Sequence, residues 1–258
     1  MRRALVTSLL AATAFFGVSL VAPASAQQGF NPDQKSAIEA IIKEVLLKNP
    51  EIIQEALVEL ERRQQQAQVD SQKQVLVTER AAIFESPKSS VAGNPQGDVT
   101  LVEFFDYNCG FCKRSLTDLQ ELIKVDPKLK VVLKDFPVLG ADSVEASRVA
   151  IALKNQIKGE KYWAFHVALM ATRGRVNGAK ALEVAKEHGA NLDILRRDME
   201  SNETRAVIEE TVVLGDKLGL TGTPAFIIAD EIVFGAVGVD QIKSRIDAVR
   251  KCGKTNCG

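Results

Sequence analysis

The spacing of apolar positions changes character along the chain, and each change marks a boundary. Arg2 and Arg3 precede an apolar stretch from Leu5 to Val21, and Ala24-Ser25-Ala26 follows it. A basic start, a short apolar run and a small-residue A-x-A site predict a secretory signal peptide over 1–26, cleaved between Ala26 and Gln27. The alternative is an uncleaved anchor, for which the run is short. Asn31-Pro32-Asp33 then opens a helix, and Ile38, Ile41, Ile42, Val45 and Leu46 recur at spacings of three and four. Asn49-Pro50-Glu51 stops it and starts a second, with Ile52, Ile53, Ala56, Leu57 and Leu60. That stripe fades into Arg62-Arg63-Gln64-Gln65-Gln66-Ala67-Gln68, polar on every face, and apolar character resumes from Val75 to Phe84. Two short amphipathic helices cannot build a core alone. Either they fold back onto the rest of the chain or they pair with copies of themselves. The polar run reads as a spacer and favours the second, a homo-oligomer.

From Ser89 the period changes. Val91 to Pro95 reads as a short edge strand with its turn, Val99 to Tyr107 as a buried strand, Cys109 to Val125 as a helix, and Leu129 to Phe136 as a strand that Pro137 ends. Helical patterns follow over Val144 to Ile157, Glu160 to Thr172, Ala179 to His188 and Leu192 to Leu214. Strand patterns return at Ala225 to Ala229 and Glu231 to Phe234, and a last helix runs from Val239 to Lys251. A βαβ half and a ββα half enclosing a helical block make an α/β, thioredoxin-like fold with an inserted helical domain. The expected organisation is signal peptide 1–26, helical oligomerisation segment and linker 27–85, and main domain 86–258 with its insert at about 140–218.

Charge narrows the partners. The chain holds 33 basic and 33 acidic residues; removing 1–26 removes two Arg and no acid, leaving 31 − 33 = −2. A near-neutral protein lacks the basic footprint of a nucleic-acid binder. Four cysteines in an exported chain sit where disulfides persist.

The candidate chemistry lies where the apolar strand meets the next helix, at Cys109-Gly110-Phe111-Cys112. Unpaired N–H groups and the helix dipole stabilise negative charge at that end. A free thiol titrates near 8.5, and such sites lower this to about 3.5–7.5. A fall of about three units stabilises the thiolate by roughly 4 kcal/mol, or roughly 90 mV of reduction potential. Gly110-Phe111 brings no positive charge, so a smaller shift is expected than a His there would give. Cys112, one turn on, is placed to resolve a mixed disulfide. A plain disulfide or a zinc half-site is the alternative; zinc wants four N or S ligands, and only Cys252, Cys257, His166 and His188 remain. No cofactor and no metal are expected. In Thr221-Gly222-Thr223-Pro224 a proline opens a returning strand; in a thioredoxin-like fold it is cis, faces the dithiol and leaves the Thr223 backbone free for an extended substrate.

With Glu103-Phe104-Phe105, Cys109-Gly110-Phe111-Cys112, Thr223-Pro224 and the helical insert, the chain resembles the DsbA-like branch of the thioredoxin superfamily, exported thiol–disulfide oxidoreductases, over about Ser89 to Lys251. The resemblance implies that Glu103 is buried beneath the site, where it helps move the Cys112 proton. The N-terminal helices resemble in layout those of the ScsC-like proteins, which implies a trimer. Thr223 before the cis proline resembles the isomerase members. A disulfide isomerase in the periplasm or cell envelope is therefore expected, acting on exported disulfide-bearing proteins and served by a membrane redox partner. A dithiol oxidase is the alternative, and a surface or binding protein with a protective or copper(I)-holding dithiol is another. Cys252 and Cys257 are expected to form a local disulfide, with a second redox pair as the sharper alternative. Trp163 and His166 are expected to pack the insert.

Overall fold

The computed structural model describes residues 29–258, so the expected signal peptide lies outside the described residues. The described residues divide into two compact units, separated between Leu60 and Glu61. In the first, helix α1 (Pro32–Lys48) starts at a capping box: the Asn31 side chain accepts from the Gln34 N–H at 2.8 Å, and the Gln34 side chain accepts from the Asn31 N–H at 3.0 Å. It ends at Asn49, whose side-chain amide donates to the Val45 carbonyl. Helix α2 (Glu51–Thr78) begins in this unit. No α1 residue is buried, and Ile41, Ile42, Ile52, Ile53 and Leu57 all remain exposed.

In the second unit, the end of α2 and helix α3 (Arg80–Phe84) bury Leu76, Ile83 and Phe84. The last turn of α2 and helix α3 therefore pack with the main domain through these side chains. The cause is local: these three side chains find Val102, Phe104 and Ile227 to pack against.

The sheet has the order β1-β3-β2-β4-β5. Its strands are β1 (Ser90–Gly93), β2 (Val99–Phe105), β3 (Leu129–Asp135), β4 (Ala225–Ile228) and β5 (Glu231–Phe234). Only β2 and β3 are parallel, joined through helix α4 (Gly110–Val125); the other pairs are antiparallel. Alternation along β2 sorts its side chains between two cores. Leu101 and Phe105 join the core that holds Cys112, Leu116 and Leu119 of α4 and Ile242 and Ile246 of helix α10 (Val239–Cys252). Val102 and Phe104 join Leu76, Phe84 and Leu214 in the other. Glu103 has the parity of Leu101 and Phe105, so it points beneath α4.

The insert comprises α5 (Ala141–Leu153), α6 (Glu160–Met170), α7 (Gly178–Glu187), α8 (Leu192–Met199) and α9 (Asn202–Lys217). The last two replace the single helix that the apolar spacing predicts over Leu192 to Leu214. The break comes from Ser201, whose hydroxyl accepts from the Thr204 N–H at 3.1 Å and caps a new helix. Apolar periodicity does not register a cap that interrupts a stripe without shifting it.

Candidate active site

Strand β2 ends at Phe105, and four residues later Cys109 is the N-cap of α4, with extended backbone angles (φ −77°, ψ 118°). Its thiol is held down to about 5, first by a hydrogen bond from the Cys112 thiol, then by the Thr223 side chain and the backbone N–H groups of Cys112 and Phe111. A thiol at 5 is about 99% thiolate at neutral pH, against about 1% for one at 9. Cys112 is driven the opposite way. Burial pushes its thiol far above the ordinary range, and its hydrogen bond to Cys109 and the charge of Glu103 add to this. Cys109 is 7% exposed and Cys112 1%, so an incoming disulfide reaches Cys109 first. Neither is in a disulfide.

The Thr223–Pro224 peptide bond is cis. It brings the Thr223 carbonyl to 3.1 Å from the Cys109 sulfur, where it accepts from the thiol. The backbone expected to be free for substrate is thus partly engaged, since its carbonyl accepts from the Cys109 thiol. The Thr223 side chain favours the thiolate.

Glu103 pairs across the sheet with Leu133 and Phe226 and is 2% exposed. Burial raises its carboxyl to about 8, against the one opposing hydrogen bond, donated by the Ser115 hydroxyl at 3.3 Å. The apolar environment of β2 produces this, since most buried acids find a cation and this one has a hydroxyl.

Cys252 and Cys257 are joined in a disulfide at the end of α10, and within that loop the Thr255 N–H and hydroxyl donate to Asp230 in the β4–β5 turn. His166 is fully buried, stacked on Trp163 and 3.2 Å from the Tyr107 hydroxyl; burial lowers it to about 3, so the ring is neutral. Among the described residues no cluster of three or more His, Cys, Asp or Glu side chains is placed to hold a metal. Three residues that the sequence reading assigns no role stand at the site. Asp106 accepts the Asn108 and Leu139 N–H groups, Asn108 reaches Val176, and Lys113 reaches Thr172. Only Asp106-Tyr107-Asn108 carried a signal, as a polar turn before a helix; the partners are too distant in sequence to be read.

The model of the DSBA-like thioredoxin domain matches residues 100–247, from within β2 to within α10. The chain belongs to the DSBA-like thioredoxin domain family. The N-terminal domain model of the copper resistance protein ScsC also matches, over residues 34–67. A thioredoxin-like oxidoreductase from Silicibacter pomeroyi is 42% identical, with TM-score 0.63, covering 67% of this chain and 98% of that one. The thiol-disulfide exchange protein alpha-DsbA2 from Wolbachia pipientis is 30% identical, with TM-score 0.65, covering 71% and 98%. Proteus mirabilis ScsC in a transitional conformation is 28% identical, with TM-score 0.60, covering 83% and 95%. Among curated proteins, the Na(+)/H(+) antiporter NhaA 1 of Salinispora arenicola is 24% identical over 161 residues, 62% of this chain. The chain spans about a quarter, 24%, of the length of the curated relatives it matches. Among the described residues no helix is long and apolar enough to cross a membrane. In this DSBA-like domain, the matched region takes in Glu103, both site cysteines and Thr223–Pro224, and stops before Cys252.

Proposed function

We propose that the protein is an exported thiol–disulfide oxidoreductase whose Cys109/Cys112 pair isomerises disulfides in envelope proteins. The observation that carries the reading is the asymmetry of the pair: an ionised, partly accessible sulfur at a helix N-terminus beside a buried, protonated one. In the reaction the Cys109 thiolate attacks one sulfur of a substrate disulfide. The substrate S–S bond breaks, a Cys109–substrate disulfide forms, and the second substrate sulfur leaves as a thiolate. When a substrate thiolate, either the one first released or one freed by its attack on a neighbouring disulfide, attacks the substrate sulfur of the mixed disulfide, a new substrate disulfide forms and Cys109 leaves as a thiolate with no net transfer of electrons. When Cys112 attacks instead, the Cys109–substrate bond breaks, the Cys112 proton passes to the departing substrate sulfur, the substrate leaves as a thiol, and Cys109–Cys112 is left oxidised. Two electrons must then come from a reductant, for which a membrane redox partner is the candidate.

Exposed apolar groups frame this site. Phe111 lies between the cysteines at 56% exposure, and Leu139, tied through its N–H to Asp106, is 47% exposed. They suit an unfolded polypeptide. The exposed apolar residues of α1 and α2, in the segment that matches the ScsC N-terminal domain, support a homo-oligomer, with a trimer favoured, that presents several dithiols to one substrate.

A second reading, a dithiol oxidase, draws on the low Cys109 value itself, because a stabilised thiolate makes the disulfide form more oxidising. One pair of experiments separates the readings. An isomerase reactivates a scrambled multi-disulfide protein, its Cys109→Ala variant does not, and thiol trapping in intact cells finds the dithiol reduced. Reactivation that is equal for both proteins would overturn the exchange reading. A mostly oxidised dithiol in cells would replace isomerase with oxidase.

A further inference from the structure

The turn between β2 and α4 is fastened to the helical insert on both sides of the dithiol. Asn108, immediately before the nucleophile, commits its whole amide to that attachment. Its Oδ1 accepts from the Val176 N–H at 2.7 Å, and its Nδ2 donates to the Val176 carbonyl at 2.8 Å and to the Ser143 hydroxyl at 3.0 Å. Its own N–H donates to Asp106 Oδ1 at 2.8 Å. Just past Cys112, the Lys113 ammonium donates to the carbonyls of Thr172 at 2.6 Å and Gly174 at 3.1 Å. The connection between α6 and α7 is thus gripped from both ends of the Cys-x-x-Cys segment.

An amide that pairs with both the N–H and the C=O of one residue fixes distance and direction together, as a ladder pair does in a sheet. Val176 and Ser143 are fully buried, so losing the amide would leave buried donors and acceptors unsatisfied. The position of Cys109 depends on how the chain leaves Asn108. Asn108 does not cap α4; that place belongs to Cys109, which makes no side-chain capping bond.

We propose that Asn108 is a positioning residue for thiol–disulfide exchange: anchored on Val176 and Ser143 of the insert, it holds Cys109 at the N-cap of α4, where the Phe111 and Cys112 N–H groups face its sulfur. The inference rests on the exchange reading and extends it. The insert becomes the mount of the nucleophile, and Lys113 is its second fastening.

The test uses the reduced full-length chain, with ultraviolet thiolate absorbance against pH, alkylation rate and amide exchange at Val176. In Asn108→Ala the thiolate midpoint moves up by about one unit, the equivalent of one hydrogen bond, so alkylation at about pH 4 slows about tenfold, and the Val176 amide exchanges faster. Ser143→Ala shifts the midpoint the same way by less, and adds nothing in the Asn108→Ala background. An unchanged midpoint and alkylation rate in both variants, with only a lower melting temperature, would make the amide a structural tie and overturn the proposal. If Asn108→Ala does not fold, Ser143→Ala decides alone, and an unchanged midpoint there overturns it. These readouts need no substrate disulfide. A wild-type protein with the low midpoint that fails to exchange with any disulfide would overturn the proposed function while the role of Asn108 is still measured.

Discussion

Cys109 and Cys112 are identical in chemistry and opposite in environment, and Glu103 beneath them is buried without a cation. Its carboxyl stands at about 8 instead of 4.5. Between those values the folded protein holds a proton that the unfolded chain has lost, so stability falls as pH rises through that window. Cys109 acts in the other sense: its stabilisation of the reduced form is complete above 9 and is lost as pH falls through about 5. The Glu103 effect is isolated in the oxidised protein, where neither site cysteine titrates. There, Glu103→Gln removes part of the loss of stability between about pH 5 and 8, so denaturant midpoints at the two ends lie closer together than in the wild type. An unchanged difference would mean that Glu103 is ionised throughout. Both cysteines, Glu103 and the cis proline were legible as short patterns. Asn108 and Lys113 were not, because their partners lie 68 and 59 residues away, and a sequence carries no sign of which carbonyl an amide will reach.

Among the elements, α4 turns a Cys-x-x-Cys pattern into chemistry, because a helix that starts at Cys109 puts unpaired N–H groups against its sulfur. The strands and α4 were legible from alternation and from the 3.6-residue stripe. The break between α8 and α9 was not, since it depends on one serine hydroxyl. Helices α1 and α2 pose a different problem. Their apolar residues are legible as a stripe on each helix, yet no α1 residue is buried, so the described residues of one chain supply no partner for them. If copies of the chain supply it, Ile41→Lys with Leu57→Lys leaves charges in the contact. The particle mass by light scattering then falls to that of one chain, while alkylation of Cys109 stays at the wild-type rate. A wild-type protein that is already a single chain would contradict the oligomer.

For the whole molecule, the thioredoxin-like sheet carries the dithiol, and the proposals assign positioning to the insert and assembly to the N-terminal helices. The order of the elements was legible because each has its own hydrophobic period. The packing of Leu76, Ile83 and Phe84 against the sheet was not, since it depends on what these side chains meet in space. The central claim is that an ionised Cys109 carries out the exchange. The most direct measurement is the rate, against pH, at which the Cys112→Ser protein forms a covalent adduct with a small disulfide, with the site located by peptide mass. Serine keeps a hydrogen-bond donor beside the Cys109 sulfur while removing the resolving thiol. The account predicts an adduct on Cys109 alone, with a rate nearly level from about pH 8 to 6 and halved near the Cys109 value of about 5. A rate that drops about tenfold for each pH unit below 8, as for an ordinary thiol, or an adduct on another residue, would contradict it.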